Sequence, residues 1–171
     1  SGEAMRRLMQ EMIFASRPQQ TLYSARCDAA EIFGRRRRLL EDVKQIEYSY
    51  NDLLKMALML GRQIERISRP GEKVGLLLPN LVPTIGLIFG LSARQRVPAM
   101  LNYSAGTDAM QAACTAAEIR TVVTSRAFVE QAKLGDKLAG LDGVQLIFLE
   151  DVCAQIGLAD KLWLIGYAIH F

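Results

Sequence analysis

The chain has 171 residues, half of them hydrophobic, and its 21 basic and 18 acidic side chains leave a formal charge of only +3. That length suffices for one domain with a core of its own, and the near balance of charge excludes the strongly basic face of a nucleic-acid groove, so no nucleic-acid partner is expected. Cys27, Cys114 and Cys153 are odd in number, far apart and without a Cys-x-x-Cys pair, which supports neither a disulfide framework nor a zinc site and suits a reducing cytoplasm.

Residues 1–14 lack the long apolar core and small-residue cleavage site of a signal peptide, and Ser1-Gly2 is compatible with a cloning remnant. Met5, Leu8, Met9, Met12 and Ile13 recur at the spacing of one helical face until Arg17-Pro18 breaks it, so residues 1–20 read as a helical tail or linker. Leu22, Ala25, Ala29, Ile32 and Phe33 repeat the spacing up to Gly34, and residues 35–48 read as two short strands around a turn near Glu41-Asp42. Ser49 with Asp52 has the form of a capping box, and Leu53, Leu54, Ala57, Leu60, Ile64 and Ile67 give the buried face of a helix over residues 50–67.

From Gly71 onward, apolar runs alternate with helical patterns. Residues 73–78, 98–101, 121–124 and 144–149 read as strands buried on both faces, with helices at 82–93, 108–117 and 127–138 between them. Helices of that length are crossovers between parallel strands, so the expected fold is α/β: a doubly wound, mainly parallel sheet with helices on both faces, plus N-terminal helices and a short hairpin. The helix over 82–93 is apolar nearly all round and should pack between the sheet and another layer, with part of it exposed. Residues 152–163 are helical in pattern, and the sequence stops at Phe171 inside an apolar run, which reads as the end of a truncated piece. No apolar stretch reaches the roughly 20 residues of a membrane-spanning helix.

Chemistry is sparse. His170 is the one histidine and no acidic residue follows it, so neither a His-Asp acyltransferase motif nor a histidine-based triad is expected. Neither a Walker motif nor Gly-x-Gly-x-x-Gly appears; Leu76-Leu77-Leu78-Pro79-Asn80 stands where the latter would. Gly86 and Gly90 are read as close helix packing rather than a membrane dimer motif. Two readings stand for Arg35, Arg36, Arg37 and Arg38: a solvated edge strand whose charges discourage aggregation, which is preferred, and contact with anionic lipid headgroups. Glu118, Glu150 and Asp151 are read as surface or capping carboxylates.

Two stretches carry a family resemblance. One runs from Tyr48-Ser49-Tyr50 to Gly71-Glu72-Lys73-Val74-Gly75-Leu76-Leu77-Leu78-Pro79-Asn80, the other from Arg96-Val97-Pro98-Ala99-Met100-Leu101-Asn102 to Ala117-Glu118-Ile119-Arg120-Thr121-Val122-Val123-Thr124-Ser125-Arg126. Together they resemble the opening of the adenylate-forming, or acyl-CoA synthetase, superfamily. Within it, Pro98-Ala99-Met100-Leu101-Asn102-Tyr103-Ser104-Ala105-Gly106, Thr124-Ser125-Arg126-Ala127-Phe128 and Asp160-Lys161-Leu162-Trp163 are similar to the bacterial group that joins a 2-acylglycerophosphoethanolamine acyltransferase to an acyl-[acyl-carrier-protein] synthetase.

The resemblance implies a parent at the cytoplasmic side of the inner membrane. It would activate fatty acid with ATP and Mg2+, load it on acyl carrier protein, and re-acylate lysophospholipid through an upstream domain. Residues 21–171 would then be the front subdomain of the adenylation domain. That family's Thr-Ser-Gly-rich loop ending in Pro-Lys-Gly, its acidic ribose-binding residue and its lid lysine have no counterpart here, so no catalytic, cofactor-binding or metal-binding residue is assigned and the chain alone is expected to be inactive. Pro79-Asn80 and Asn102 match family motifs and are read as turn residues.

A homodimer through exposed apolar surface, the helix over 82–93 in particular, would suit such a fragment. The alternative is a stand-alone α/β ligand-binding or regulatory module with polar groups converging near Asn80, Asn102 and Ser125; a receiver-like domain is disfavoured because no aspartates cluster at the strand ends.

Overall fold

The computed structural model describes residues 2–6, 21–41 and 47–169. Residues 2–6 are helical; the remainder of the first predicted helix, Asp42 of the predicted turn, and His170 lie outside the described residues. Helix α1 (Leu22–Phe33) starts at Thr21, whose hydroxyl accepts from the Ser24 amide, and stops at Gly34, where φ is 93°. Strand β1 (Arg38–Glu41) then pairs antiparallel with β2 (Glu47–Ser49), the expected hairpin. Helix α2 (Tyr50–Glu65) follows with the capping box in place: the Asp52 carboxylate accepts from the Ser49 amide at 3.0 Å and the Ser49 hydroxyl accepts from the Asp52 amide at 3.3 Å. The Ser49 hydroxyl and then its amide hold the Asp52 carboxyl below the usual carboxylate range.

Four parallel strands make the main sheet: β3 (Lys73–Leu76), β4 (Val97–Met100), β5 (Thr121–Thr124) and β6 (Gln145–Phe148), in the spatial order β4-β3-β5-β6. Helix α3 (Val82–Ala93) joins β3 to β4, α4 (Thr107–Ala116) joins β4 to β5, and α5 (Arg126–Gln131) with α6 (Gly135–Ala139) joins β5 to β6. Two helices, α7 (Leu149–Ala154) and α8 (Leu158–Ile169), follow.

Side-chain alternation along β3 builds two cores. Val74, Leu76 and Leu78 pack with Leu60 and Ile64 of α2, Leu87 and Leu91 of α3, and Val152 of α7. Leu77 packs on the other face with Val122, with Met110 and Cys114 of α4, and with Phe128 and Leu138 of α5 and α6. Both faces of β3 and β5 are therefore covered, which is why they read as continuous apolar runs. The edge strands β4 and β6, also expected to be buried on both faces, have only one neighbour each and are half-buried or exposed. The doubly wound architecture expected from the sequence is the observed one.

Two expected helices are each observed as two, the pattern over 152–163 falling in α7 and α8. The helix expected over 127–138 is two helices, because Lys133 adopts φ 53° and closes a Schellman motif, its amide donating to Glu130 O at 3.2 Å and the Leu134 amide to Val129 O at 2.9 Å. The burial of Leu134 at the following position anchors that stop. Helix α3 packs as expected between the sheet and another layer: Val82, Leu87 and Leu91 are buried, α2 lies directly on it, and Pro83 is exposed with Ile85, Ile88 and Phe89 only half-buried. A β-carbon on Gly90 would sit 2.3 Å from Ala57 O and one on Gly61 2.6 Å from Gly90 O, so the two backbones touch where these glycines meet. The packing role read for Gly90 holds.

Candidate functional site at the carboxyl edge of the sheet

In an open parallel sheet, ligand crevices form outside the carboxyl ends of strands, at the point where successive connections run in opposite directions. Here α3 carries the chain from β3 outward to β4, and the next connections carry it to β5 and on to β6, so the switch lies between β3 and β5. The turns facing it hold Pro79 and Asn80 after β3 and Ser125 and Arg126 after β5. Asn102 follows β4, and Glu150 and Asp151 follow β6.

The polar groups there are engaged with one another. The Ser125 hydroxyl caps α5, accepting from the Phe128 amide at 3.1 Å. The Glu150 carboxylate accepts from the Arg126 amide at 2.8 Å and the Ala127 amide at 3.4 Å, so a side chain occupies the positive end of that helix. Burial pushes the Glu150 carboxyl up, but the backbone amides of Glu150, Arg126 and Ala127 and the Ser125 hydroxyl outweigh it and leave the group below its ordinary range. Asp151 takes the Arg126 guanidinium in a two-pronged pair at 2.8 and 2.7 Å, which lowers its pKa, and the same guanidinium lies 4.4 Å over the Phe148 ring. Asn102 accepts from the Ser104 amide at 3.0 Å and its hydroxyl at 2.7 Å, closing an Asx turn. Lys137 donates to Tyr103 O and Ala105 O and ties that turn to α6.

Sequence reasoning thus read Glu150 as a capping carboxylate and Asn102 as a turn residue correctly. It missed Arg126 as the partner of Asp151, because 25 residues separate them. Asn102 and Ser125 each bond within their own turn, and Asn80 lies exposed before α3. Glu118 ends α4 at φ 54° with its carboxylate 3.9 Å from Lys73 Nζ, a surface role. Of the four arginines only Arg38 lies in a strand; Arg35, Arg36 and Arg37 form the turn before it.

Among the described residues no cradle for the phosphates of a nucleoside triphosphate is formed. The α5 N-terminus is filled by Glu150, and no three His, Cys, Asp or Glu side chains gather to hold a metal among the described residues. Burial raises the Cys114 thiol, and burial with Glu150 nearby raises that of Cys153, so neither is an activated nucleophile. A shallow hollow of about 460 Å³ opens at the opposite, amino edge, lined by Arg69, Glu72, Lys73, Glu118, Arg120 and Gln145. Its charges largely offset one another, and the Glu72 carboxylate is taken by the Arg69 amide and the Thr121 hydroxyl.

Fold and edge together define a doubly wound α/β unit whose carboxyl-edge turns are closed by its own side chains. Residues 28–156 match the AMP-binding enzyme family. The chain belongs to that family. In fold it is similar to VinN in complex with 3-methylaspartate (TM-score 0.68, 18% identity, covering 79% of this chain and 36% of that one). It is also similar to a structure described as a long-chain-fatty-acid CoA ligase from Rhodopseudomonas palustris CGA009 (0.60, 21%, 77% and 34%) and to a benzoate CoA ligase from Burkholderia xenovorans LB400 (0.66, 17%, 80% and 28%). The chain spans about a third of the length of these structures.

Proposed function

We propose that this chain is the front wall of an adenylation domain that activates a fatty acid with ATP and Mg2+ and transfers the acyl group to acyl carrier protein. The observation that supports this most is the family match over residues 28–156. The finer assignment, to an enzyme that also re-acylates 2-acylglycerophosphoethanolamine at the cytoplasmic face of the inner membrane, rests on the wording of residues 98–106, 124–128 and 160–163 described above. In this reading the 171 residues supply packing surface, and the groups that hold ATP lie elsewhere in the protein. The partners of the chain are then the rest of that enzyme, and a second copy met through exposed apolar surface.

The test is made on the longer protein that contains this chain. Fatty-acid-dependent exchange of pyrophosphate into ATP, acyl carrier protein loading and lysophospholipid acylation are all expected, while the 171-residue chain alone gives none. Exchange supported by another acid, without carrier loading, would keep an acid-activating enzyme and remove the phospholipid role. No exchange with any carboxylic acid would sink the reading.

A further inference from the structure

The turn after α1 places cations around apolar side chains that the fold leaves uncovered. Ile32 and Phe33, in the last turn of that helix, are each 54% exposed. Gly34 reverses the chain immediately, and the Arg37 amide donates to Gly34 O at 3.0 Å, which brings the Arg37 guanidinium 5.3 Å over the Phe33 ring. Arg35 and Arg36 complete the turn and are exposed. The turn is anchored from behind, since Arg35 O and Arg37 O accept from the Asn51 and Tyr50 amides at the start of α2.

Charge decides what such a surface fits. Arg38 is neutralised by Glu47 at 2.6 Å, whereas among the described residues no carboxylate pairs with Arg35, Arg36 or Arg37. Between residues 31 and 37, Glu31 is the one acidic residue against three arginines. A nucleic acid or an acidic protein surface would answer the cations and leave Ile32 and Phe33 facing water or charge. A bilayer with anionic headgroups answers both, with guanidiniums at the phosphate level and the two apolar side chains reaching the hydrocarbon boundary. We propose that Ile32, Phe33, Arg35, Arg36 and Arg37 form a docking surface for an anionic lipid bilayer. The inference rests on this patch alone, not on the acid-activation reading.

The experiment is co-sedimentation of the 171-residue chain with phosphatidylcholine vesicles and with vesicles containing one quarter phosphatidylglycerol, at low and high salt. Partition onto the anionic vesicles, reversed by salt, is expected. Replacing Arg35, Arg36 and Arg37 together by Gln should weaken it on the order of a hundredfold, at about fivefold per cation. Phe33→Ser should weaken it by about tenfold. Both variants change exposed side chains, so an unaltered melting temperature is the folding control. Equal partition onto neutral vesicles, insensitivity to salt, or unchanged partition of both variants each overturns the proposal. Retention on RNA without preference for anionic over neutral vesicles also overturns it, and assigns the arginines to a nucleic acid. Because lipid binding is measured without ATP or fatty acid, failure here leaves the enzymatic reading untouched.

Discussion

At the scale of single residues, the contact between Gly61 and Gly90 is the most demanding position in the molecule. A β-carbon at Gly90 would meet Ala57 O at 2.3 Å and Gly61 N at 2.9 Å, and backbone cannot withdraw as a side chain can. At Gly86 the clash is with Met56 Cγ and Sδ at 2.8 Å, part of a flexible side chain that can move aside. Gly90→Ala should therefore destabilise the protein by about 2 to 3 kcal/mol and Gly86→Ala by about 1 kcal/mol or less, an order that urea denaturation measures directly. The packing role of Gly90 was legible in sequence as two small residues four apart on a helix. Its partner Gly61 was not, because only the crossing of α2 and α3 brings residues 61 and 90 together; the single hint was a glycine inside an otherwise strong helical pattern.

At the scale of elements, polar side chains decide how helices join the sheet. Arg96 is 6% exposed, an unusual burial for a charge. It donates to Ser68 O, Glu65 O and Arg94 O and to the Ser68 hydroxyl, so the orphan carbonyls at the end of α2 are satisfied from the first residue before β4. Arg96→Met should cost about 2 to 4 kcal/mol, since several buried acceptors lose their donor at once; a urea midpoint within error of wild type would show that those carbonyls find water instead.

Helix α8 is held by a second such device. Asp160, 3% exposed, receives Arg62 at 3.0 Å and Arg66 at 2.6 Å, and Arg62 and Arg94 lie 4.5 and 5.2 Å over the Trp163 ring. The Arg62 hydrogen bond, with the Gly157 amide and the Arg66 charge, prevails over desolvation and holds the Asp160 carboxyl down to about 2. Because the folded-state pKa is depressed below the ordinary 3.8, this contribution is fully present above about pH 4 and is lost as pH falls toward about 2. Trp163 is the one tryptophan, so its fluorescence should report α8 loosening across that window. In Asp160→Asn the step should vanish and the melting temperature at pH 7 should fall by several degrees.

At the scale of the whole molecule, the surfaces left open differ in kind. The outer edge of β4 is blunted: the amides of Val97 and Leu101 donate to β3 and its lead-in, so Pro98, which has no amide hydrogen, faces the open side. Helix α8 is not blunted; Leu158, Leu162 and Ile165 are 74%, 59% and 57% exposed and recur along one face. Among the described residues no helix is long and apolar enough to cross a membrane. Self-association through it is expected, with an average mass in sedimentation equilibrium that rises with concentration. Leu162→Ser with Ile165→Ser should weaken association by at least about tenfold.

The sequence by itself determined the doubly wound class, because strands buried on both faces must be written as continuous apolar runs, and βα alternation leaves few ways to connect them. It also determined the Ser49–Asp52 cap and the stop at Gly34, since both depend on residues within three or four positions of one another. The tertiary structure alone decided the rest. That α2 covers α3, that Glu150 fills the end of α5, that Asp151 holds Arg126, and that Arg62 and Arg66 converge on Asp160 are all contacts between residues 23 to 98 positions apart. Such pairings leave no periodicity to read, because each is fixed by where two independently specified elements meet.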